Sequence, residues 1–192
     1  MSEKNHPGFD PLSLTAEVRN PYPPPNDRAL NGKSRRALGD ANGLTKFGVN
    51  LTDLEPGAVS ALRHWHGAED EFIYIVEGMP TLVTDAGEQQ LSAGMCACFP
   101  ADSGDAHRLE NRTDGLVRFL EVGNRSDGEQ VRYPDDDMIM HRTADGSRSF
   151  TKLDGSPCTS GSATETAKVP AWFTIPATTS TTRSCHWVPP GL

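Results

Sequence analysis

The chain has 192 residues, enough for one domain of ordinary size with additional segments and a sizeable core. It carries 18 Lys and Arg against 26 Asp and Glu, a formal net charge of −8. Because an acidic chain lacks the basic surface that displaces phosphate counterions, this balance argues against binding to nucleic acid. The 18 Gly and 15 Pro, spread between short apolar runs, favour an all-β fold.

Cysteine usage and hydropathy indicate the compartment. The four cysteines form no Cys-x-x-Cys pair and imply no disulfide framework in a chain of this length. The N-terminal segment MSEKNHPGFD has no apolar signal-peptide core, and no run approaches the roughly 18 apolar residues of a membrane span. We therefore expect a cytoplasmic protein without membrane contact. Cys96 and Cys98, two apart in a strand-like run, are expected to be small core residues.

In chain order, the sequence divides into three parts. Residues 1–42 form a polar, proline-rich arm, in which NPYPPPNDR favours an extended polyproline conformation. Residues 43–145 contain short strand-like runs separated by Gly, Pro, Asn or Asp, which predict an antiparallel sandwich or barrel. Residues 146–192 become rich in Ser and Thr and are expected to form a partly disordered extension. The predicted strands lie in LTKFGVNL, AVSALRHWH, EFIYIVEG, PTLVTD, EQQLSAG, MCACFP, AHRLEN and LVRFLEVG, with a hairpin turn in TDAGEQ.

Three histidines and one glutamate form the candidate site. His64 and His66 are two apart, so in a strand both side chains project to one face and can chelate one cation. After the loop GAED, a hairpin would return Glu71 beside this pair, and His107 begins a later strand. Three imidazoles with one carboxylate suit Fe, Mn, Co, Ni, Cu or Zn, and the spacing does not choose among them.

Other residues compete for these roles. Asp70 adjoins Glu71 and is a rival carboxylate ligand, and His107 is alternatively a surface histidine. Arg36, Arg63 and Arg118 are candidates for neutralising an anionic substrate, although surface ion pairs are the commoner role of arginine.

The residues around the first two histidines resemble the first motif of the cupin superfamily. That motif places Gly, His-x-His, Glu and Gly at set intervals along two strands. In this chain four residues separate His66 from Glu71, and six separate Glu71 from Gly78, as the family pattern requires. Gly57 precedes His64 by one residue more than the pattern has.

A second stretch resembles the second cupin motif, which contains Gly, Pro-x-Gly, His and Asn. Gly94, Pro100, His107 and Asn111 match it, and Asp102 occupies its glycine position. The loop before His107 is two residues longer than the pattern. A strict count therefore places Asp105 at the histidine position, whereas the interval to Asn111 favours His107.

The resemblance covers residues 44–124 and implies a cupin-type small β-barrel, a jelly roll, with one divalent metal ion in its mouth. The implied ligands are His64, His66, Glu71 and His107, and Glu71 could also transfer a proton. The resemblance further implies a homodimer and a small-molecule substrate. We expect dioxygenase-type oxidation of a chelating ketone, dicarbonyl or phenol, with isomerase or lyase chemistry close behind. The alternative is a non-catalytic, ligand-binding or regulatory cupin.

Overall fold

The computed structural model describes residues 7–143 and 145–158, whose regular secondary structure is almost entirely β-strand. Within this part of the chain, no helix has the length and apolar character needed to cross a membrane. The helical elements are one short helix and two 3-10 turns, α1 (Leu38–Ala41), Pro11–Ser13 and Pro134–Asp136. The strands are β1 (Lys33–Ala37), β2 (Phe47–Leu54), β3 (Trp65–His66), β4 (Glu71–Glu77), β5 (Thr81–Thr84), β6 (Gly87–Gln90), β7 (Cys96–Phe99), β8 (Arg108–Glu110), β9 (Val117–Asn124), β10 (Gln130–Tyr133), β11 (Met138–Arg142) and β12 (Arg148–Thr151).

The strands form three antiparallel sheets, which confirms the all-β prediction. The first sheet has the order β1-β2-β9-β4-β7, the second β12-β11-β10-β3, and the third β6-β5-β8. Most neighbours in these sheets are distant along the chain. Strand β3, which carries His66, belongs to the second sheet, whereas β4 lies in the first.

Strand β4 shows how alternation selects the inner face of the first sheet. Ile73 and Ile75 are buried, whereas Phe72 and Tyr74 point outward and are 39% and 40% exposed. Antiparallel pairing aligns Phe72 with Cys98 and Tyr74 with Cys96 of β7, so both cysteines also face outward. For this reason Cys96 and Cys98 are exposed, and the expectation that they are core residues is wrong.

Tight turns connect neighbouring strands. The predicted hairpin in TDAGEQ is confirmed, since Thr84 pairs with Gly87 across a two-residue turn. Gly78, which follows β4, has φ of 83°, and a Cβ atom there would lie 2.5 Å from the backbone oxygen of Leu116. Only glycine fits this position without movement of the neighbouring backbone.

Two apolar clusters hold the sheets together. The first lies between the first and third sheets and includes Phe119, Ile75 and Leu109, each 0% exposed. The second covers the second sheet, where Tyr22 and Leu30 from the N-terminal segment pack against residues of β10 and β11. Segments far apart in the chain are thus joined by burial of apolar surface.

Strands also form on either side of residues 43–145. β1 lies within the predicted arm and pairs along its length with β2, and β12 lies within the predicted C-terminal extension and pairs with β11. The predicted Ser/Thr-rich tail beyond residue 158 lies outside the described residues.

Candidate metal centre

The four predicted ligands are carried by separate elements. His66 belongs to β3, and Glu71 is the first residue of β4, as the sequence predicted. His64 and His107 precede β3 and β8 and form a backbone bridge with each other. The predicted hairpin between the histidine pair and Glu71 is wrong, since β3 pairs with β10 and β4 pairs with β7 and β9.

The structure nevertheless brings all four side chains together. One donor atom from each of His64, His66 and Glu71 lies within 4.8 Å of the others. The Nε2 atom of His107 is 2.9 Å from Oε2 of Glu71, and Nε2 of His66 is 3.8 Å from that same oxygen. Glu71 therefore lies at the centre of the cluster, between imidazoles that come from the second and third sheets.

Polar contacts through Nδ1 orient two of the imidazoles. Nδ1 of His64 is 2.9 Å from the backbone oxygen of Leu62. Since a carbonyl oxygen can only accept, Nδ1 carries the proton and the lone pair of Nε2 is available to a metal. On His66, Nδ1 lies 3.3 Å from Oε1 of Glu129, so this ring also directs Nε2 toward Glu71. This arrangement of carboxylate and imidazole is typical of metal-ligating histidines.

Sequence reasoning missed Glu129. This side chain is 0% exposed, and its two carboxylate oxygens accept the backbone N–H groups of Gly67 and Ala68 at 3.0 Å each. These bonds fix the carboxylate behind His66. Glu69 is also buried and lies close to His66 and Glu129. Its carboxylate accepts a hydrogen bond from Arg142 at 2.7 Å.

The environment sets the protonation of the cluster. Burial, reinforced by repulsion from His107 and His66, lowers the pKa of His64 to about 3. Burial alone would raise the pKa of Glu71, but the hydrogen bond from His107 and the charge of the imidazoles outweigh it and lower this pKa to about 2. At neutral pH the cluster therefore presents a carboxylate and at least one neutral imidazole, the forms that bind metal.

Contacts with aromatic side chains help to fix the rings of His107 and His64. His107 is 2% exposed and stacks on Phe99, with ring centroids 3.5 Å apart. His64 stacks on Tyr133 at 5.6 Å, and Tyr22 meets Tyr133 edge-on at 5.4 Å. The cluster is thus continuous with the apolar cluster on the second sheet.

The rival ligands are engaged elsewhere. Asp70 is exposed and accepts the backbone N–H of Ala101, and Asp105 accepts that of Asp85. Asp102, at the glycine position of the second motif, has φ of 56°, a left-handed conformation that aspartate adopts more readily than most residues. The longer loop places Asp105 away from the cluster, so His107 is the residue that reaches Glu71.

The three candidate arginines are ion-paired. Arg36 and Arg118 both bind Asp53, at 2.8 and 2.6 Å. Arg63 binds Asp135 and Asp85. All three therefore have the commoner role of arginine, which is to form ion pairs.

The donor set fits a divalent first-row transition metal. It combines three nitrogen ligands with one oxygen ligand, two of the rings have their distal nitrogen oriented, and Glu71 remains ionised. The buried Nδ1 atom of His107 has no hydrogen-bond partner among the described residues. Around a metal that prefers octahedral coordination, these four ligands leave two positions for a substrate.

Comparison with known proteins decides the family. Residues 50–123 match the family model described as a cupin domain. The crystal structure of a sugar phosphate isomerase of the cupin superfamily from Silicibacter pomeroyi is 45% identical and has a TM-score of 0.77. It aligns with 80% of this chain and 97% of its own. The chain belongs to the cupin superfamily.

Two further relatives of this cupin are more distant. A protein from Acidithiobacillus ferrooxidans, whose assignment as a sugar phosphate isomerase is provisional, is 27% identical, with a TM-score of 0.61. Its structure aligns with 67% of this chain and 81% of its own. The tetracenomycin polyketide synthase protein TcmJ of Streptomyces glaucescens is 26% identical over 122 residues, 62% of this chain and 78% of its own.

Proposed function

We propose that this cupin is a metal-dependent isomerase acting on a phosphorylated sugar. The observation that carries the proposal is the cluster of three imidazoles around Glu71, in a chain 45% identical to a cupin sugar phosphate isomerase. A bound divalent metal would polarise a carbonyl or hydroxyl oxygen of the substrate as a Lewis acid. His64, His66, His107 and Glu71 would hold the metal, and Glu129 would orient His66.

An isomerase also needs a group that moves a proton between neighbouring carbons. The sequence assigned that task to Glu71, and this role stays a prediction. A second carboxylate, Glu121 of β9, faces the interior because it aligns with buried Ile73 on β4. Glu121 lies 3.7 Å from Lys33 and contacts no histidine of the cluster among the described residues. We therefore propose Glu121 as a second candidate for proton transfer.

The dioxygenase hypothesis remains the second candidate. Three imidazole ligands suit redox-active metals such as Fe, Mn and Cu as well as Zn. The same four ligands would then hold the metal, and the substrate would be a chelating ketone, dicarbonyl or phenol. The two hypotheses differ in whether turnover consumes dioxygen.

One experiment tests both the isomerase and the dioxygenase hypotheses. The full chain is analysed for metal as purified, incubated with aldose and ketose phosphates in D₂O, and followed by NMR for product and for deuterium at the carbon next to the carbonyl. We expect about one equivalent of metal and isomerisation, both lost in His64→Ala/His66→Ala. In Glu121→Gln we expect metal to be retained and turnover to fall at least about a hundredfold.

Three outcomes would contradict the proposal. Oxygen uptake with ketone, dicarbonyl or phenol substrates, without isomerisation of any sugar phosphate, would favour the dioxygenase. A chain that holds metal but turns over neither class would favour a ligand-binding or regulatory cupin. A chain that binds no metal, even after reconstitution, would exclude the metal centre.

A further inference from the structure

Three polar side chains on the inner face of the first sheet have unused hydrogen-bonding capacity among the described residues. They are Lys33 of β1, Thr52 of β2 and Glu121 of β9, three neighbouring strands. None of them is a ligand of the candidate metal centre. Since buried polar groups are nearly always hydrogen-bonded, such a group of side chains inside a fold indicates a polar ligand.

Thr52 is the least satisfied of the three. It is 0% exposed, and its buried Oγ1 atom has no hydrogen-bond partner among the described residues. Thr52 aligns with Phe119 of β9, which belongs to the first apolar cluster, so the Thr52 hydroxyl group points into the interior. A buried hydroxyl group without a partner costs free energy that a bound donor or acceptor would recover.

Lys33 and Glu121 form an ion pair across the strand that carries Thr52. Lys33 aligns with Leu54, a core residue two positions after Thr52. Glu121 aligns with Asn50, two positions before Thr52. Nζ of Lys33 lies 3.7 Å from Oε1 of Glu121, so the two side chains meet over the inner face of β2. Because this distance exceeds that of a direct hydrogen bond, a hydroxyl group that bridges the two charges can bond to both.

Each member of the ion pair can make further hydrogen bonds. The Lys33 ammonium group has three N–H donors and donates one hydrogen bond among the described residues, to the backbone oxygen of Ser60 at 2.5 Å. The Glu121 carboxylate accepts no hydrogen bond from the described residues. The Lys33 and Glu121 side chains are 15% and 16% exposed, so a small polar molecule can reach both.

The three side chains adjoin the candidate metal centre. Glu71 aligns with Gly123 of β9, and Glu121 lies two residues from Gly123 on the same face of that strand. Diagonal neighbours of this kind are about 7–8 Å apart, within reach of long side chains. A sugar whose carbonyl end lies at the metal centre would therefore place the hydroxyl groups of its carbon chain beside Glu121.

We propose that Lys33, Thr52 and Glu121 form a subsite that binds hydroxyl groups of the substrate's carbon chain. The inference rests on the proposed function and names the part of the sugar that the protein recognises. One substrate hydroxyl group would donate to Glu121 and accept from Lys33, and the Thr52 hydroxyl group would bond to the same oxygen or to the next one. The adjoining carbon would then lie beside Glu121, the second candidate for proton transfer.

Calorimetric titration of the full chain, as purified, with two probes tests the subsite. Sorbitol phosphate carries the hydroxyl groups of a sugar phosphate but has no carbonyl group, so it cannot be isomerised. Hexyl phosphate has the same chain length and no hydroxyl groups. We expect the parent to bind sorbitol phosphate at least about tenfold more tightly than hexyl phosphate, since several hydrogen bonds distinguish the two. Thr52→Val should weaken the binding of sorbitol phosphate about fivefold, the value of one hydrogen bond, and leave that of hexyl phosphate unchanged.

A matched variant and the melting temperature separate binding from folding. Thr81→Val is the control, because Thr81 adjoins the core residue Leu82 on β5 and therefore points away from the interior. Since Oγ1 of Thr52 has no partner among the described residues, Thr52→Val should not lower the melting temperature of the ligand-free chain. A lower melting temperature, with weaker binding of both probes, would assign Thr52 to stability and overturn the subsite. Equal binding of the two probes by the parent would also overturn it.

The remaining outcomes separate this inference from the proposed function. A preference for sorbitol phosphate that depends on Thr52, in a chain that isomerises no sugar phosphate, would support the subsite and contradict the isomerase. Isomerisation by the parent, with unchanged binding of sorbitol phosphate in Thr52→Val, would support the isomerase and overturn the subsite. A parent that binds neither probe would overturn the subsite as well.

Discussion

At the scale of single residues, Glu129 offers the sharpest test of the metal centre. It lies 3.3 Å from His66 and is fixed by the N–H groups of Gly67 and Ala68. A carboxylate behind a ligating imidazole fixes the ring and increases its basicity. We therefore expect Glu129→Gln to weaken metal binding about 10–100-fold. Competition with a chromophoric chelator measures the change.

Controls separate positioning from folding. Glu88→Gln removes an exposed carboxylate that pairs with Arg112 and contacts no histidine among the described residues, and it should leave metal affinity unchanged. If the melting temperature of metal-free Glu129→Gln equals that of the parent while its affinity falls, Glu129 acts on the metal site. Equal affinity in parent and variant would assign Glu129 to the support of the β3–β4 loop alone.

The residues of the candidate metal centre differ in how far sequence could identify them. His64, His66 and Glu71 lie within eight positions, so local spacing was enough to group them, and the second motif added His107. Glu129 was not predicted because pairing between β3 and β10 brings it to His66, and no local pattern specifies that pairing.

At the scale of elements, one ionic cluster joins three strands of the first sheet. Asp53 of β2 accepts bonds from Arg118 of β9 at 2.6 Å and from Arg36 of β1 at 2.8 Å. Burial would raise the pKa of Asp53, but the two arginines outweigh it and lower this pKa below its usual value. The cluster is nearly buried, with the Asp53 side chain 10% exposed, so its bonds contribute to stability.

The sign of the pH dependence follows from that shift. The folded-state pKa of Asp53 lies below the unfolded value of about 3.9. The stabilisation by its ion pairs is therefore complete above about pH 3.9, and it is lost as the pH falls through the folded-state pKa. We expect Asp53→Asn to lower the free energy of unfolding by about 2 kcal/mol at pH 7. The difference from the parent should shrink steadily below about pH 4.

Urea unfolding of the metal-free chain at pH 7, 5 and 3 measures this difference without a contribution from metal binding. Asp114→Asn, at an exposed position, is the control and should be neutral throughout. A difference between Asp53→Asn and the parent that stayed constant down to pH 3 would assign the loss to packing, not to the ion pairs.

Sequence predicted the strands better than their assembly. Alternation and turn residues located β4, β5, β6, β7, β8 and β9, because these signals act within a few residues. They could not show that β3 leaves β4 for a different sheet, which depends on contacts between distant segments. Strands β1 and β12 were missed because their short runs, KSRRA and RSFT, are too polar to resemble core strands.

At the scale of the whole molecule, burial around the metal centre contrasts with an apolar outer face on the first sheet. Phe72, Tyr74 and Val76 are 39–43% exposed on β4, and Cys98 lies beside Phe72 on β7. Among the described strands, β7 pairs only with β4 and leaves an edge open. Adjacent apolar side chains beside an open edge are typical of a surface that another chain covers.

We therefore expect this cupin to form a homodimer through that face. Light scattering after size exclusion should give twice the 20.8 kDa mass of the chain. Phe72→Glu places a charge in the apolar face and should shift the protein to monomer, because an unpaired charge at an interface costs several kcal/mol. Leu153→Glu, at a similarly exposed apolar position outside the first sheet, should remain dimeric. A monomeric parent would contradict the homodimer, and a dimer that survives Phe72→Glu would place the interface elsewhere.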